Sequence, residues 1–270
     1  MADLKNMAIG IFDSGIGGLT VLKEVRRKLP KEDIIYLGDT ARVPYGIRSP
    51  QTVIKYSVSN TDFLLKQNIK LLIIACNTAS AVANKVLREK YTIPIIDVVG
   101  PGAKGAVKIT KNKRIGIIGT QGTIKSCAYQ KEIKRIDPDI ETFTQPCPLF
   151  VPLAEEGWCS KDDEVVVLIA RRYLETLKSM GIDTLVLGCT HYPLLKEALQ
   201  SVMGDNIKLV DSAEETAVEV DKLLNEHNFH CDGPEEGQSL FYLTDIAHRF
   251  AETGSRFLGE ALTNIKLIDI

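Results

Sequence analysis

The sequence predicts an α/β protein of two similar parallel-sheet domains, related by a pseudo-two-fold axis, with an active site in the interdomain cleft. Three observations lead there. Short runs of Ile, Val and Leu alternate with amphipathic stretches of helical length, the rhythm of βαβ units. Those runs are apolar at consecutive positions rather than alternate ones, as in parallel strands covered on both faces. The chain also resembles itself. Ile9-Gly10-Ile11-Phe12-Asp13-Ser14-Gly15 opens a strand, turn and helix, and Ile115-Gly116-Ile117-Ile118-Gly119-Thr120-Gln121 opens another 106 residues on. Later in each half an apolar run ends in a cysteine followed by polar residues, Cys76-Asn77-Thr78 and Cys189-Thr190-His191.

The expected strands are, in order, 7–12, 33–37, 71–75, 93–96, 114–118, 140–144, 183–187, 207–210 and 240–243, with helices between most of them. A break between the halves is expected at the turn-rich Val99-Gly100-Pro101-Gly102. The chain beyond about Ile207 has no counterpart in the other half, so it returns to complete the first domain. The expected division is therefore 1–98 with 208–270 for the first domain and 99–207 for the second.

A chain of 270 residues, 44% hydrophobic, can bury the cores of two modest domains. With 33 Lys and Arg against 35 Asp and Glu, the net charge of −2 gives no electrostatic reason to expect a nucleic acid or an anionic membrane as partner. The amino terminus lacks the basic flank and apolar run of a secretory signal, and the apolar runs are too short to span a bilayer, so a cytoplasmic location is expected. Six cysteines without a CxxC pair do not form a disulfide framework and are expected as free thiols.

Parallel sheets place their sites at the carboxyl ends of strands, which is where Cys76 and Cys189 fall. Either alone reads as a small buried apolar residue. Their matched contexts reverse that reading, because equivalent strand ends of two related halves face each other across a cleft. Two acid/base groups on opposite faces of one carbon, one a thiolate and one a thiol, can take a proton from one side and return one to the other. That is what racemising an amino acid requires. A helix amino terminus can bring a thiol toward operating pH, and helices are expected to begin near Ala79 and Pro193, just after each cysteine.

His191 is placed to serve Cys189, and Asp13, ending the first strand, to serve Cys76 or to cap its turn. The stretch Asp13-Ser14-Gly15-Ile16-Gly17-Gly18 lacks the third glycine of a dinucleotide loop and any GK[ST], and its carboxylate would repel phosphate. It reads as a tight turn presenting amides and Ser14 to a substrate carboxylate. Asn77, Thr78, Thr120 and Thr190 are donors of the same kind, and the loop carrying Pro44, Tyr45 and Gly46 is expected over the cleft. Cys76, Cys189 and His191 raise the alternative of zinc, but structural zinc needs four ligands, often in short-spaced pairs, and the sequence has no such pair. No metal is expected. Cys127, Cys147, Cys159 and Cys231 have no matched contexts and read as packing residues.

At these positions the chain resembles the aspartate/glutamate racemase family, and within it the glutamate racemases. The likeness rests on IGIFDSGIGGLTVL, YLGDTARVPYG, ACNTASA, PLAEEG and LGCTHYPLL, in the family's order over nearly the whole chain. The resemblance implies interconversion of L- and D-glutamate for peptidoglycan precursors, without a cofactor. By that likeness Cys76 would deprotonate D-glutamate with help from Asp13, and Cys189 would deprotonate L-glutamate with help from His191. Glu155 would be a further carboxylate on the second face, although Glu156 adjoins it. Asp13, Ser14, Tyr45, Gly46, Asn77, Thr78, Thr190 and His191 would contact substrate, and a homodimer is the partner the family suggests. Two other readings stay open: a racemase of the same group acting on aspartate, and a two-lobed amino-acid binding protein with no chemistry.

Overall fold

The computed structural model describes residues 4–233, 235–245 and 250–270. Among the described residues there are ten strands: β1 (Ala8–Asp13), β2 (Ile34–Gly38), β3 (Ile69–Ile74), β4 (Ile95–Asp97), β5 (Arg114–Gly119), β6 (Glu141–Pro146), β7 (Thr184–Gly188), β8 (Lys208–Asp211), β9 (Ser239–Leu243) and β10 (Ile265–Leu267). Helices α1 (Leu19–Lys28), α2 (Pro50–Leu65), α3 (Asn77–Lys90), α4 (Val99–Ile109), α5 (Gln121–Ser126) and α6 (Ala128–Ile136) lie between the first six strands. They are followed by α7 (Phe150–Glu156), α8 (Glu164–Ser179), α9 (Lys196–Met203), α10 (Ser212–His227) and α11 (Phe250–Leu258).

The strands form two sheets, and every pairing is parallel. One sheet runs β10-β9-β2-β1-β3-β4 and the other β6-β5-β7-β8. The second sheet repeats the order β2-β1-β3-β4 strand for strand, so the internal likeness at the sequence level is a likeness of winding. Strand β10, three residues at a sheet edge, is the one strand among the described residues that the sequence pattern did not announce.

Each sheet is covered on both faces, as continuous apolar runs require. Along β3, Leu71 and Ile73 pack into the core shared with α1, α10 and α11, while Leu72 and Ile74 face the one shared with α2 and α3. Along β7, Leu185 and Leu187 face α8 and α9, and Val186 faces α4 and α6. Among the described residues, no helix is long and apolar enough to cross a membrane.

Two expectations about local structure are corrected. The stretch at Val99-Gly100-Pro101-Gly102, between the last strand of one sheet run and the first of the other, is not an open turn but the first turn of α4. Asp97 closes it by accepting from the Val99 and Gly100 amides at 2.8 and 2.9 Å, and proline is tolerated in a first turn because its missing N–H would be unpaired there anyway. The return to the first sheet also starts later than residue 208, because β8 still pairs with β7. Only β9 and β10 rejoin the first sheet, beside β2.

Candidate active site

A cavity of about 310 Å³ is lined by residues that follow β1 and β3 of one sheet and β5 and β7 of the other. A larger groove, about 760 Å³, runs past α3, α4 and α6 but holds no cysteine. The smaller cavity holds both Cys76 and Cys189, and with them Ser14, Pro44, Tyr45, Gly46, Asn77, Thr78, Thr120, Glu155, Thr190 and His191. Every site residue expected from sequence lines it except Asp13, which lies fully buried behind Ser14. Val43, Ile47, Gln121, Pro148, Val151 and Pro152 complete the wall, none of them named as a site residue from the sequence.

On the first side, Cys76 caps the amino end of α3. Its sulfur lies 3.6 Å from the Ser14 hydroxyl, and the Ala79 amide of the helix's first turn points at it. These hydrogen bonds favour the thiolate, but burial and the neighbouring Asp13 carboxylate outweigh them and push the thiol up to about 12. The helix terminus eases the thiol as expected from sequence, but its pull is smaller than that of burial and Asp13. Asp13 accepts the Gly15 amide at 2.9 Å and leaves Oδ1 without a partner. Burial lifts its carboxyl above the ordinary range, against the pull of His191 and the amides of Gly15, Gly18 and Ser14.

The second side is built differently. No α-helix starts at Pro193; a short 3-10 turn spans Tyr192–Leu195 and α9 begins only at Lys196. In place of a helix terminus, Cys189 has a side-chain relay. Its sulfur is 3.8 Å from His191 Nδ1, and His191 Nε2 is 3.0 Å from Oε1 of Glu155. Burial opposes a charge on the imidazole, but the Cys189 sulfur and the Glu155 carboxylate overcome it and push His191 up to about 10.

The Thr190-His191 backbone is held from the other sheet's side. Thr20 of α1 donates its hydroxyl to the Thr190 carbonyl at 2.9 Å. Gly17 leaves space there that no other residue would: a Cβ would run into Thr190 Oγ1 and come within 2.5 Å of the His191 ring. Tyr192 anchors the turn by donating to the Cys147 carbonyl at 2.9 Å.

Neutral donors line the rest of the cavity. Thr78 and Thr120 meet across it at 3.0 Å between hydroxyl oxygens, and Thr120 caps α5 through Thr123. Tyr45 lines the wall, but its hydroxyl is spent on Asp39 and accepts from Asn60, so it presents its ring rather than a free donor. Among the described residues, no Lys or Arg lines this cavity, and His191 is the one cationic side chain of its wall. Among the described residues, no three His, Cys, Asp or Glu stand where they could hold a metal ion. All six cysteines are unpaired, and Cys127, Cys147, Cys159 and Cys231 lie away from the cavity wall.

A family model described as Asp/Glu/hydantoin racemase matches residues 10–220. The glutamate racemase of Geobacter metallireducens is 52% identical over 97% of both chains. Among solved structures, a glutamate racemase isoform from Bacillus anthracis superposes with a TM-score of 0.94 at 38% identity, covering 98% of each chain. The glutamate racemase of Francisella tularensis in complex with D-glutamate gives 0.91 at 38% identity, again over 98% of each.

Proposed function

The chain belongs to the Asp/Glu/hydantoin racemase family and is an isomerase that interconverts L- and D-glutamate, and we propose that Cys76 and Cys189 are the two bases on which the reaction runs. The observation that carries this is their shared cavity, each sulfur supplied from a different sheet. L-glutamate bound with its α-hydrogen toward Cys189 gives that proton to the Cys189 thiolate. The Cys76 thiol then protonates the opposite face, and Cys76 is left as the thiolate that D-glutamate meets in the reverse direction. The two sides differ in their surroundings, with the His191 imidazole beside one sulfur and burial and Asp13 raising the thiol on the other.

An α-hydrogen beside a carboxylate is a very weak acid, and the site must hold the charge that develops when it leaves. Fixed neutral donors from Ser14, Asn77, Thr78, Thr120 and Thr190 serve this, because preorganised dipoles need no rearrangement as charge appears. The substrate ammonium supplies a second cation that the wall lacks. Its arrival eases the ionisation of Cys76, which burial and the Asp13 carboxylate oppose.

The D-glutamate serves peptidoglycan synthesis. The need for two reduced thiols supports a cytoplasmic location. We read the chain as two α/β units closing on the cavity, 1–98 with 212–270 and 99–211, and as a homodimer on family likeness alone. The test is deuterium incorporation at the α-carbon of L-glutamate in heavy water, followed with optical rotation and no added cofactor. Exchange with loss of rotation, abolished in Cys76→Ala and in Cys189→Ala, is the expected result. Exchange confined to aspartate would move the substrate, and binding of glutamate without any exchange would overturn the enzymatic reading.

A further inference from the structure

Helix α11 belongs by its packing to the first sheet: Phe250, Phe257 and Leu258 share a core with α1 and α10. Its last turn nevertheless reaches the groups that serve Cys189. The Phe257 ring meets the His191 imidazole edge-on, with centroids 5.1 Å apart and planes at 81°. The neighbouring Arg256 donates to the Glu155 carbonyl at 3.0 Å and to Thr253 Oγ1 at 3.2 Å. The guanidinium lies over Gly157, where φ is 80° and a Cβ would collide with it.

Glu155 is in the last turn of α7, where carbonyls have no partner within the helix and a cation is favoured. Its carboxylate side chain is 42% exposed, so packing does little to hold it. What fixes Glu155 against His191 is its own backbone, tied to Arg256. His191 is thus held on three sides by Cys189, Glu155 and Phe257. Around Cys76 the groups that support it, Ser14, Asp13 and Ala79, come instead from its own half of the chain, and none of them is reached by α11.

We propose that Arg256 and Phe257 are positioning residues for the Cys189 half of the reaction alone, acting through Glu155 and His191. This rests on the assignment of Cys189 to L-glutamate above. Steady-state racemisation mixes both cysteines, so each must be read singly. The enantiomers of 3-chloroglutamate allow that: one base removes the α-hydrogen, the C–H electron pair forms the C=C bond, and chloride leaves. The enamine takes up water to give 2-oxoglutarate and ammonium, with no second acid needed.

Arg256→Ala is expected to slow 2-oxoglutarate release from the L-enantiomer about 10- to 100-fold while leaving the D-enantiomer unchanged, the scale expected when a reacting group is slightly misplaced. Arg256→Lys, which keeps a cation at the helix end, should restore most of the rate, and Phe257→Leu should repeat the one-sided loss. Equal slowing of both enantiomers, or of neither, would overturn the proposal. Cys189→Ala and Cys76→Ala controls separate the failures: if Cys189→Ala spares the L-enantiomer, the assignment of the cysteines falls, and this proposal with it.

Discussion

The phenol of Tyr129 donates a 2.7 Å hydrogen bond to Oδ1 of Asn77, the residue after Cys76, across a sequence separation of 52. Tyr129 stands on α6 against the second sheet and Asn77 begins α3 against the first. Burial pushes the phenol's ionisation well above its ordinary value, so it stays a donor. With Oδ1 taken, the Asn77 amide nitrogen, buried and without a partner, is what remains for a ligand at the cavity wall.

Tyr129→Phe should therefore free the amide to rotate. Loss of one orienting hydrogen bond is worth about 1–2 kcal/mol, roughly a 5- to 30-fold fall in kcat/KM. The fall is expected mainly in KM, because Asn77 grips the substrate and does not itself carry a proton. Steady-state kinetics beside a melting curve would decide the matter. An unchanged KM with a lowered Tm would make the bond purely structural and sink the idea.

The relay on the other side predicts a pH effect. His191 is raised to about 10 by Cys189 and Glu155 against burial, so its imidazolium persists through neutral pH. Glu155→Gln removes one of the two charges that hold it, and its ionisation should move down. Racemisation from L-glutamate, which uses the imidazolium to support the Cys189 thiolate, should then lose its rate at lower pH than in the parent enzyme. Comparing the two proteins on one substrate cancels the titration of the substrate itself. The stability linkage has the same sign. A raised histidine stabilises fully below about 6.5, and that contribution is lost as pH climbs through about 10. Superimposable alkaline limbs in the two proteins would refute the role given to Glu155.

The strands are legible in the sequence because parallel strands buried on both faces leave unbroken apolar runs, as Leu71 to Ile74 do. Strand β10 is not, because three residues at an exposed edge carry no such run. The cysteines are legible from the strand ends they succeed, and so is most of the wall around them. The turn after Cys189 departs from the expected α-helix because Pro193 fits the opening of an α-helix and of a 3-10 turn equally well. Asn77 can be picked out, but not the phenol that orients it. Tyr129, Arg256 and Phe257 reach the site from elements distant in sequence, and no spacing near the cysteines encodes such a contact.

Away from the cavity, Lys70 and Glu32 form a buried ion pair, with Nζ 2.5 Å from Oε2. The ammonium also donates to the Lys5 and Phe229 carbonyls at 2.8 Å each, and Glu32 accepts the Cys231 amide at 2.8 Å. The pair thus pins the segment before β1 and the connection after α10 to the first sheet. Lys70→Met would leave the buried Glu32 carboxylate with only the His230 imidazole, 4.0 Å away, in place of the ammonium, at a cost of about 3–5 kcal/mol. Adding Glu32→Gln should recover part of that loss, since the carboxamide buries no charge and still accepts from Cys231. Urea unfolding would measure both. Racemisation per folded molecule should stay at the parent level in each, because neither residue lines the cavity. If the single variant unfolds at the parent's urea midpoint, the ion pair does not carry the attachment of these two segments.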